Sequence, residues 1–265
     1  MKWLKRILLA IVGLIVAVVL LFFLMLAVDS FFDAGRIAEL SNTEIENPNG
    51  PAVRAYVAQS GSTEPQPAVI MIHEFWGLRE SVTGKADALS NEGYVVIAPD
   101  TYRGVSTSLI PRAIYQVIRT PEERVNTDLD AVFAWAAQQP NIDPERIAII
   151  GFCYGGRVSI SYSMSNNKLA ATSTFYGGGA ETEASKLAAL PGPVLGVFGS
   201  EDQQIPLEEV EAFKTGLEQA GIEHQVTVYD GVGHAFVSDV ETIRAGGAPG
   251  DAWNELLAFL KTNLQ

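Results

Sequence analysis

The sequence predicts an α/β domain with a mostly parallel central sheet and helices on both faces, preceded by one N-terminal transmembrane helix. Two observations predict this class: short apolar segments alternate with amphipathic segments along the chain, and a long uncharged segment stands at the N-terminus. Short apolar strands that alternate with helices form parallel sheets that are covered on both faces. The length of 265 residues suggests one or two domains.

The N-terminal segment Ile7–Val28 contains 22 residues without a charged or polar side chain. As a helix rising about 1.5 Å per residue, it is long enough to cross a bilayer core of about 30 Å. Lys2, Lys5 and Arg6 precede the segment, and this positive flank is expected to stay in the cytoplasm. A cleaved signal peptide is the alternative, although its apolar region usually has only about 7–15 residues. We therefore expect a membrane-anchored protein whose body is extracytoplasmic, either periplasmic or extracellular.

We expect three parts along the chain: a cytoplasmic stub with the transmembrane anchor over 1–28, a linker over 29–50, and a catalytic domain over 51–265. Near the end of the linker, Asn47-Pro48-Asn49-Gly50 is a turn signal. The predicted strands of the domain are Val53–Ala58, Ala68–Ile72, Tyr94–Ala98, Ile147–Ile150, Ala171–Phe175, Val194–Phe198 and Gln225–Tyr229. The predicted helices are Val82–Asn91, Glu122–Gln138, Gly155–Ser163, Leu207–Ala220 and Asp251–Leu264.

One connection, Tyr102–Thr120, is longer than usual and contains a short helical pattern over Ile110–Ile118. Long connections at the carboxyl edge of a parallel sheet are often functional, so this segment is a candidate lid or substrate wall.

The charge of the chain argues against two classes of partner. The whole chain carries a net charge of −13, and residues 29–265 carry 15 basic against 31 acidic side chains, a net of −16. Nucleic acids and anionic membrane surfaces both require positive charge on their partner. We therefore expect neither as a partner of the body.

The motif Gly151-Phe152-Cys153-Tyr154-Gly155-Gly156 lies between the predicted strand Ile147–Ile150 and a predicted helix. It matches the G-x-S-x-G nucleophile elbow, a sharp strand-to-helix turn, with cysteine in place of serine. Cys153 is the only cysteine of the chain, so it has no intramolecular disulfide partner. A buried core cysteine is the alternative, but the flanking glycines favour a nucleophile.

A base and an acid follow the motif in the order that an α/β-hydrolase fold requires, which is nucleophile, acid, base. Asp202 comes just after the strand Val194–Phe198, and His234 lies in a glycine-flanked loop after the last predicted strand. A turn residue is the alternative for Asp202, and Glu201 beside it is a second acid candidate. The other two histidines lie at strand ends, so His234 is the best candidate base.

Ester cleavage also needs donors for the developing oxyanion. One is expected to be the backbone N–H of Tyr154, which follows the nucleophile, and the other is expected from the loop His73-Glu74-Phe75-Trp76-Gly77. Glu74 in this loop is a candidate to hold the thiol proton or to compete with the base for it. An ordinary exposed loop glutamate is the alternative.

Six local patterns, in the same order along the chain, resemble the dienelactone hydrolase family of α/β-hydrolases, and they span nearly all of the body. They are His73-Glu74-Phe75-Trp76-Gly77-Leu78, Ala98-Pro99-Asp100-Thr101-Tyr102, Gly151-Phe152-Cys153-Tyr154-Gly155-Gly156, Gly199-Ser200-Glu201-Asp202 through Pro206, Gly233-His234-Ala235-Phe236 and Asp251-Ala252-Trp253. The resemblance implies an α/β-hydrolase fold for the domain.

The resemblance also implies a catalytic triad of Cys153, Asp202 and His234. It implies that Glu74 pairs with Cys153 at rest and is displaced when substrate binds, which releases a thiolate to the histidine.

For the surrounding pocket, the resemblance implies that the oxyanion donors are the backbone N–H groups of Phe75 and Tyr154. The residues expected to bind substrate are Tyr102, Arg103, Trp76 and Phe236.

The chain departs from the family at the two arginines that hold a dienelactone carboxylate. Arg103 is offset by one position from the first, and Phe236 is followed by Val237-Ser238-Asp239, with no arginine before Arg244. This predicts a preference for neutral esters or lactones.

Together these patterns predict a hydrolase that cleaves carboxylic esters or lactones through a Cys-His-Asp triad and an acyl-enzyme. A thioesterase or peptidase of the same fold and a non-catalytic membrane-anchored binding protein are the alternatives. The expected partners are a small-molecule ester or lactone and the membrane around residues 7–28. No metal or cofactor is expected, because no His/Cys/Asp cluster has ligand spacing.

Overall fold

The computed structural model describes residues 2–62 and 64–265, and it describes the side chains at these positions except at 2, 4, 8 and 30–36. The strands in this part of the chain are β1 (Thr43–Ile45), β2 (Val53–Ala58), β3 (Gln66–Ile72), β4 (Val95–Pro99), β5 (Ile142–Phe152), β6 (Ala171–Phe175), β7 (Val194–Gly199) and β8 (His224–Tyr229). They form one sheet in the order β1-β2-β4-β3-β5-β6-β7-β8. The strand β2 is antiparallel to β1 and β4, and all other neighbours are parallel.

The helices are α1 (Lys2–Leu40), α2 (Glu80–Ser90), α3 (Ile110–Arg119), α4 (Glu122–Ala136), α5 (Tyr154–Ser165), α6 (Ala184–Leu187), α7 (Leu207–Ala220), α8 (Val240–Ala245) and α9 (Gly247–Leu264). Every predicted strand and helix has an observed counterpart with ends that differ by a few residues. The mostly parallel sheet predicted from the alternating pattern is therefore confirmed.

Both faces of the sheet are covered, as the apolar strands require. In β3, Val69 and Met71 pack on one side while Ile70 and Ile72 pack on the other, because successive side chains of a strand alternate between faces. The helices α2 and α9 cover the first face, and α4 and α5 cover the second. The central strands thus have no solvated face, which explains their continuous apolar sequence.

The segment 29–50 does not form the expected linker. The helix α1 continues to Leu40, and Thr43–Ile45 forms the edge strand β1, which pairs with β2. The predicted turn at 47–50 joins these two strands, since the N–H of Gly50 donates to the carbonyl of Asn47 at 3.2 Å. Ile37 and Ile45 are fully buried, so the folded body begins before residue 51.

Two short helices, α6 and α8, were not among the predicted elements. The helix α8 is only six residues long and begins at an Asp239 cap, whose carboxylate accepts a hydrogen bond from the N–H of Thr242 at 2.8 Å. Such short elements have less than two turns, and they depend on caps and tertiary contacts rather than on periodicity.

The candidate catalytic residues all follow the carboxyl ends of parallel strands. Glu74 comes two residues after β3, Cys153 follows β5, Asp202 follows β7 and His234 follows β8. Since parallel strands end at the same edge of the sheet, these side chains meet there.

Candidate active site

Cys153 occupies the tight turn between β5 and α5. Its backbone has φ 55° and ψ −114°, a conformation that non-glycine residues rarely adopt. The neighbouring glycines are required by close packing. A Cβ on Gly151 would lie 1.8 Å from the carbonyl oxygen of Gly155, and a Cβ on Gly155 would lie 2.4 Å from that of Ile72. The predicted elbow is therefore present in the structure.

The thiol, the imidazole and the carboxylate form a continuous chain of contacts. His234 Nε2 lies 3.0 Å from Cys153 Sγ, and His234 Nδ1 lies 2.7 Å from Asp202 Oδ2. An ionised carboxylate only accepts hydrogen bonds, so Nδ1 carries the proton and donates it to Asp202. The other ring nitrogen, Nε2, then has a lone pair facing the thiol. This arrangement orients the imidazole to accept the thiol proton.

Asp202, rather than Glu201, is the acid that contacts the histidine. Its side chain is buried, and Oδ1 accepts hydrogen bonds from the N–H groups of Gln204 (2.8 Å) and Ile205 (3.2 Å). Glu201 is exposed. The two backbone donors hold the carboxylate in place so that Oδ2 faces the imidazole.

Two further residues with left-handed backbone surround the histidine. Tyr176 has φ 41° and Ala235 has φ 58°. The Tyr176 ring packs edge-on to the His234 ring at 5.3 Å, and its hydroxyl donates to the carbonyl of Val237 at 3.1 Å. Tyr176 was not predicted from the sequence, although the glycines that follow it just after β6 were a signal that backbone approaches closely there.

The environment of the sulfur favours the protonated thiol. Burial and, second, the negative charge of Glu74 raise the pKa of Cys153 to about 11. The backbone N–H groups of Tyr154 and Phe75 hydrogen-bond towards the sulfur and lower the pKa. These are the two amides expected as oxyanion donors, and both point to the reacting atom.

Glu74 lies near Cys153, but the two side chains do not form the resting pair that the resemblance implies. Within the described residues, no hydrogen bond joins Glu74 to Cys153, and the thiol instead faces His234. Glu74 Oε1 is buried and has no hydrogen-bond partner among these residues. The thiol is therefore oriented towards the candidate base His234, and the carboxylate of Glu74 acts on the thiol through its charge.

Lys85 is a buried cation beside this cluster. Its Nζ donates to the carbonyl of Val237 at 3.1 Å and lies 3.8 Å from the centre of the Phe152 ring. Burial lowers the pKa of Lys85, whereas the charges of Glu74 and Asp239 raise it. In the sequence, this lysine belongs to an amphipathic helix, where a solvated position is the ordinary expectation.

His73 supports the loop that carries Glu74. Burial lowers the pKa of His73 to about 4, so the imidazole is neutral near pH 7. Its Nε2 accepts a hydrogen bond from the N–H of Thr101 at 3.2 Å, and Nδ1 therefore donates to the carbonyl of Glu74 at 2.6 Å. This histidine therefore fixes the backbone of the loop that carries Glu74.

An open cleft of about 290 Å³ lies over the thiol. Its lining residues are Phe75, Val117, Cys153, Tyr154, Arg157, Tyr176, Gly178, Gly179, Gln204, Ile205 and His234. Val117 belongs to α3, so the long connection 102–120 forms one wall of the cleft.

The residues expected to bind substrate lie beside this cleft rather than on its lining. Arg103 is tied to the buried carboxylate of Asp128 by contacts of 3.0 Å and 2.8 Å. Tyr102 is buried against the rings of His73 and Tyr154, at 4.8 Å and 5.1 Å. The sequence predicted that Arg103 binds substrate, because it lies one position from an arginine of the family. In the structure, its guanidinium instead pairs with Asp128.

The two other aromatic candidates also pack next to the site. The ring of Trp76 packs on that of Phe75 with centres 4.2 Å apart and planes tilted by 46°, and the ring of Phe236 lies 5.7 Å from that of Tyr176. Both therefore pack against residues that line the cleft. Arg157 is the residue of the lining that carries positive charge, and it is exposed.

Comparisons with known proteins agree with the fold and the geometry. The sequence profile of the Dienelactone hydrolase family matches residues 53–264. A "Putative carboxymethylenebutenolidase" of Escherichia coli (strain K12) is 31% identical over 242 residues, which cover 86% of this chain and 88% of that protein.

Solved structures give the same result. A "Putative Dienelactone Hydrolase" from Klebsiella pneumoniae subsp. pneumoniae MGH 78578 aligns with a TM-score of 0.73 at 30% identity, covering 83% of this chain and 97% of that one. A thermophilic esterase from Thermogutta terrifontis shares the fold at 13% identity, with a TM-score of 0.61 and coverage of 83% and 94%. The chain therefore belongs to the dienelactone hydrolase family of α/β-hydrolases.

Proposed function

We propose that the protein hydrolyses carboxylic esters or lactones with Cys153 as nucleophile, His234 as base and Asp202 as the residue that orients the base. The observation that supports this most directly is the contact chain from Sγ to Nε2 at 3.0 Å and from Nδ1 to the carboxylate at 2.7 Å. A nucleophile, a base and an orienting acid within hydrogen-bond reach are the parts that covalent acyl transfer needs.

In the acylation step, His234 Nε2 takes the thiol proton as Sγ attacks the carbonyl carbon of the ester. The carbonyl oxygen becomes negatively charged and accepts hydrogen bonds from the backbone N–H groups of Phe75 and Tyr154. The carbon–oxygen bond to the leaving group then breaks. The imidazolium gives its proton to the leaving alkoxide, which departs as an alcohol and leaves a thioester on Cys153.

In the deacylation step, His234 takes a proton from a water molecule as its oxygen attacks the thioester carbonyl. The same two N–H groups hold the second oxyanion. The carbon–sulfur bond breaks, the imidazolium returns its proton to the thiolate, and the carboxylic acid leaves. Throughout the cycle Asp202 stabilises the imidazolium without becoming protonated.

Glu74 keeps the resting thiol protonated in this proposal. Its charge raises the pKa of Cys153, and burial raises it further, so the sulfur ionises only when the base takes its proton during attack. A neutral resting thiol is poorly reactive towards other electrophiles. The carboxylate therefore favours reaction in the presence of a bound carbonyl.

The substrate class is proposed from the cleft and from the relatives. The relatives carry the names "Putative carboxymethylenebutenolidase" and "Putative Dienelactone Hydrolase", and the family resemblance implies a dienelactone that bears a carboxylate. Here Arg103 is held by Asp128, so it is not available for such a carboxylate. We therefore propose neutral esters or lactones as the preferred substrates.

We also propose that α1 is an uncleaved anchor and that the body is extracytoplasmic. Within the described residues, Lys5–Asp29 is a helical segment long and apolar enough to cross a membrane, and a signal sequence would meet the same criterion. The basic flank of this segment favours a cytoplasmic N-terminus. The intact mass of the membrane-extracted protein distinguishes an anchor from a cleaved signal. If added protease digests the body in inverted vesicles but not in spheroplasts, the body is cytoplasmic and the proposed topology is wrong.

The catalytic proposal is tested with single substitutions and a short aryl ester. We expect Cys153→Ala to remain folded and to lose turnover, and Cys153→Ser to fall by about 10²-fold or more, since a hydroxyl is harder to deprotonate than a thiol. Asp202→Asn should lose activity, whereas its exposed neighbour provides a matched control, Glu201→Gln, that should retain it. Turnover by folded Cys153→Ala would refute the assignment.

A further inference from the structure

The helix α3 (Ile110–Arg119) carries an apolar stripe on its exposed side. Ile110, Ile114 and Ile118 follow at intervals of four residues and so lie on one face, with exposed fractions of 58%, 49% and 77%. The buried residues of this helix, Ala113 and Gln116, lie between them on the inner side. Three neighbouring isoleucines on one exposed helix face form an apolar patch of the kind that marks a contact surface.

The same helix is joined to the end of the transmembrane segment. Asp29 directly follows the apolar segment that ends at Val28, and its carboxylate accepts hydrogen bonds from Thr107 Oγ1 at 2.6 Å and from the guanidinium of Arg112. These contacts place the beginning of α3 where the apolar segment leaves the membrane core.

The helix α3 also lies beside the apolar segment. Phe22 and Leu26 of α1 line a cavity of about 530 Å³ together with Tyr115 and Arg119 of α3. Phe22 precedes Asp29 by seven residues, which is about 10 Å along a helix. Amphipathic helices at membrane surfaces bury their apolar face about 5–10 Å into the boundary between headgroups and acyl chains. The position of α3 beside α1 matches that depth.

The charge of this segment also suits a membrane surface. Residues 102–120 contain three arginines and no acidic residue, although the body as a whole carries a net charge of −16. Two of these arginines, Arg103 and Arg112, pair with Asp128 and Asp29. The guanidinium of Arg119 lies 5.4 Å from the centre of the Tyr115 ring, and tyrosine and arginine are frequent at membrane interfaces. The overall acidity that argues against an anionic membrane surface for the body therefore does not extend to α3.

The helix α3 also borders the catalytic cleft. Val117, which precedes the most exposed isoleucine of the stripe, lines the cleft that contains Cys153 and His234. The short helix α3 thus carries the exposed apolar stripe, lies against the transmembrane segment and contributes to the wall of the cleft.

We propose that α3 lies in the headgroup region of the membrane beside α1 and that the Cys153 cleft takes ester substrates dissolved in that membrane. The inference rests on the proposed function for its chemistry. A hydrophobic ester that partitions into the bilayer reaches the cleft along α3 without crossing bulk water. The substrate class is therefore a neutral ester with a hydrophobic acyl or alcohol group.

The location of α3 is tested with a fluorescent probe on the full chain. Cys153→Ala removes the only cysteine, so Ile118→Cys in this background carries one NBD label. The control, Lys168→Cys, lies in the exposed turn before β6, at the opposite edge of the sheet from Cys153. In phosphatidylcholine vesicles, we expect the fluorescence emission of the label at 118 to be blue-shifted and to be quenched by lipid that carries a spin label on its headgroup. The emission of the label at 168 should show neither effect. Equal emission and quenching at both positions would overturn the location.

The substrate class is tested on the active full chain in the same vesicles. We expect Ile114→Gln with Ile118→Gln to lower kcat/KM on membrane-partitioned p-nitrophenyl decanoate by about tenfold, which corresponds to about 1.4 kcal/mol, and to change that on water-soluble p-nitrophenyl acetate by less than about twofold. Ile114→Leu with Ile118→Leu keeps the apolar surface and should match the unsubstituted protein.

The substrate half of the proposal is that the cleft takes esters dissolved in the membrane, and this assay can overturn it. No change on either ester, or an equal loss on both, would overturn the substrate half of the proposal. If the unsubstituted chain hydrolyses neither ester, the proposed function fails and the substrate half fails with it, while the fluorescence result still decides where α3 lies.

Discussion

Replacing Glu74 by glutamine tests whether the carboxylate controls the ionisation of the nucleophile. The substitution keeps the size of the side chain and removes its charge. The pKa of the Cys153 thiol is raised to about 11, first by burial and second by the charge of Glu74. Removing that charge lowers the pKa, so the thiolate fraction at a given pH rises.

The size of the effect follows from the thiolate population. At pH 7, a thiol with a pKa of about 11 is ionised in about one molecule in 10⁴, whereas free cysteine is ionised in about three in a hundred. For each unit by which the pKa falls, the thiolate fraction rises about tenfold. The thiolate also becomes less nucleophilic, so the net gain in alkylation rate is about threefold per unit.

The assay is alkylation by iodoacetamide under pseudo-first-order conditions, followed by intact mass. Because Cys153 is the only cysteine, each modified molecule reports on this thiol alone. We expect Glu74→Gln to react several-fold faster than the unsubstituted protein at pH 7 and to show a lower midpoint in the dependence of the rate on pH. The exposed Glu201→Gln provides the control and should match the unsubstituted protein.

Equal or slower alkylation of Glu74→Gln, with an unchanged pH midpoint, would refute this reasoning. It would mean that the charge of Glu74 does not raise the pKa of Cys153. The role proposed for Glu74 in keeping the resting thiol protonated would then have to be abandoned.

Three further predictions concern the elbow at Cys153, the buried His73 and the charge of the substrate. Gly155→Ala places a Cβ 2.4 Å from the carbonyl oxygen of Ile72, so we expect the elbow to shift and kcat/KM for an ester to fall by about 10²-fold. The control is Gly84→Ala, whose Cβ meets only a side-chain atom at 3.4 Å and which should leave kcat/KM unchanged. The lowered pKa of His73, about 4, means that the unfolded chain takes up its proton first on acidification. In detergent, the free energy of unfolding should therefore fall between about pH 6.5 and pH 4 by at most about 3 kcal/mol; a slope that is the same in His73→Asn would contradict this. The kcat/KM for a lactone methyl ester should exceed that for the same lactone with a free carboxylate by about tenfold, and faster turnover of the carboxylate form would contradict this. Arg157→Gln should lower kcat/KM for the carboxylate form by less than about fivefold, because an exposed guanidinium contributes at most about 1 kcal/mol.

The central strands and long helices could be predicted because their own side chains decide where they lie. Strands such as β4 are buried along their whole length, and their continuous apolar sequence is visible without any neighbour. The strand β1 could not be predicted in this way, because it has only three residues, with Glu44 exposed and Ile45 buried against the rest of the protein. Its pairing with β2 follows from the turn at 47–50 rather than from its own pattern.

The contact of Cys153, His234 and Asp202 could be anticipated for a similar reason. Each residue follows a predicted strand, and parallel strands bring their carboxyl ends together. The environment of the site could not be anticipated. The buried position of Lys85 and the pairing of Arg103 with an acid on α4 depend on how separate helices pack against the sheet, which local sequence does not report.

The order in which the sheet is built has a consequence for the protein during synthesis. From β3 outwards on one side, the strands β5, β6, β7 and β8 follow one another in space as they do along the chain. A nascent chain that has emerged only as far as β7 therefore contains the thiol but not the imidazole that follows β8. In the proposed mechanism, hydrolysis therefore becomes possible only when the last strand has joined the edge of the sheet. If the body is exported through the membrane before it folds, the cytoplasm never contains the assembled enzyme.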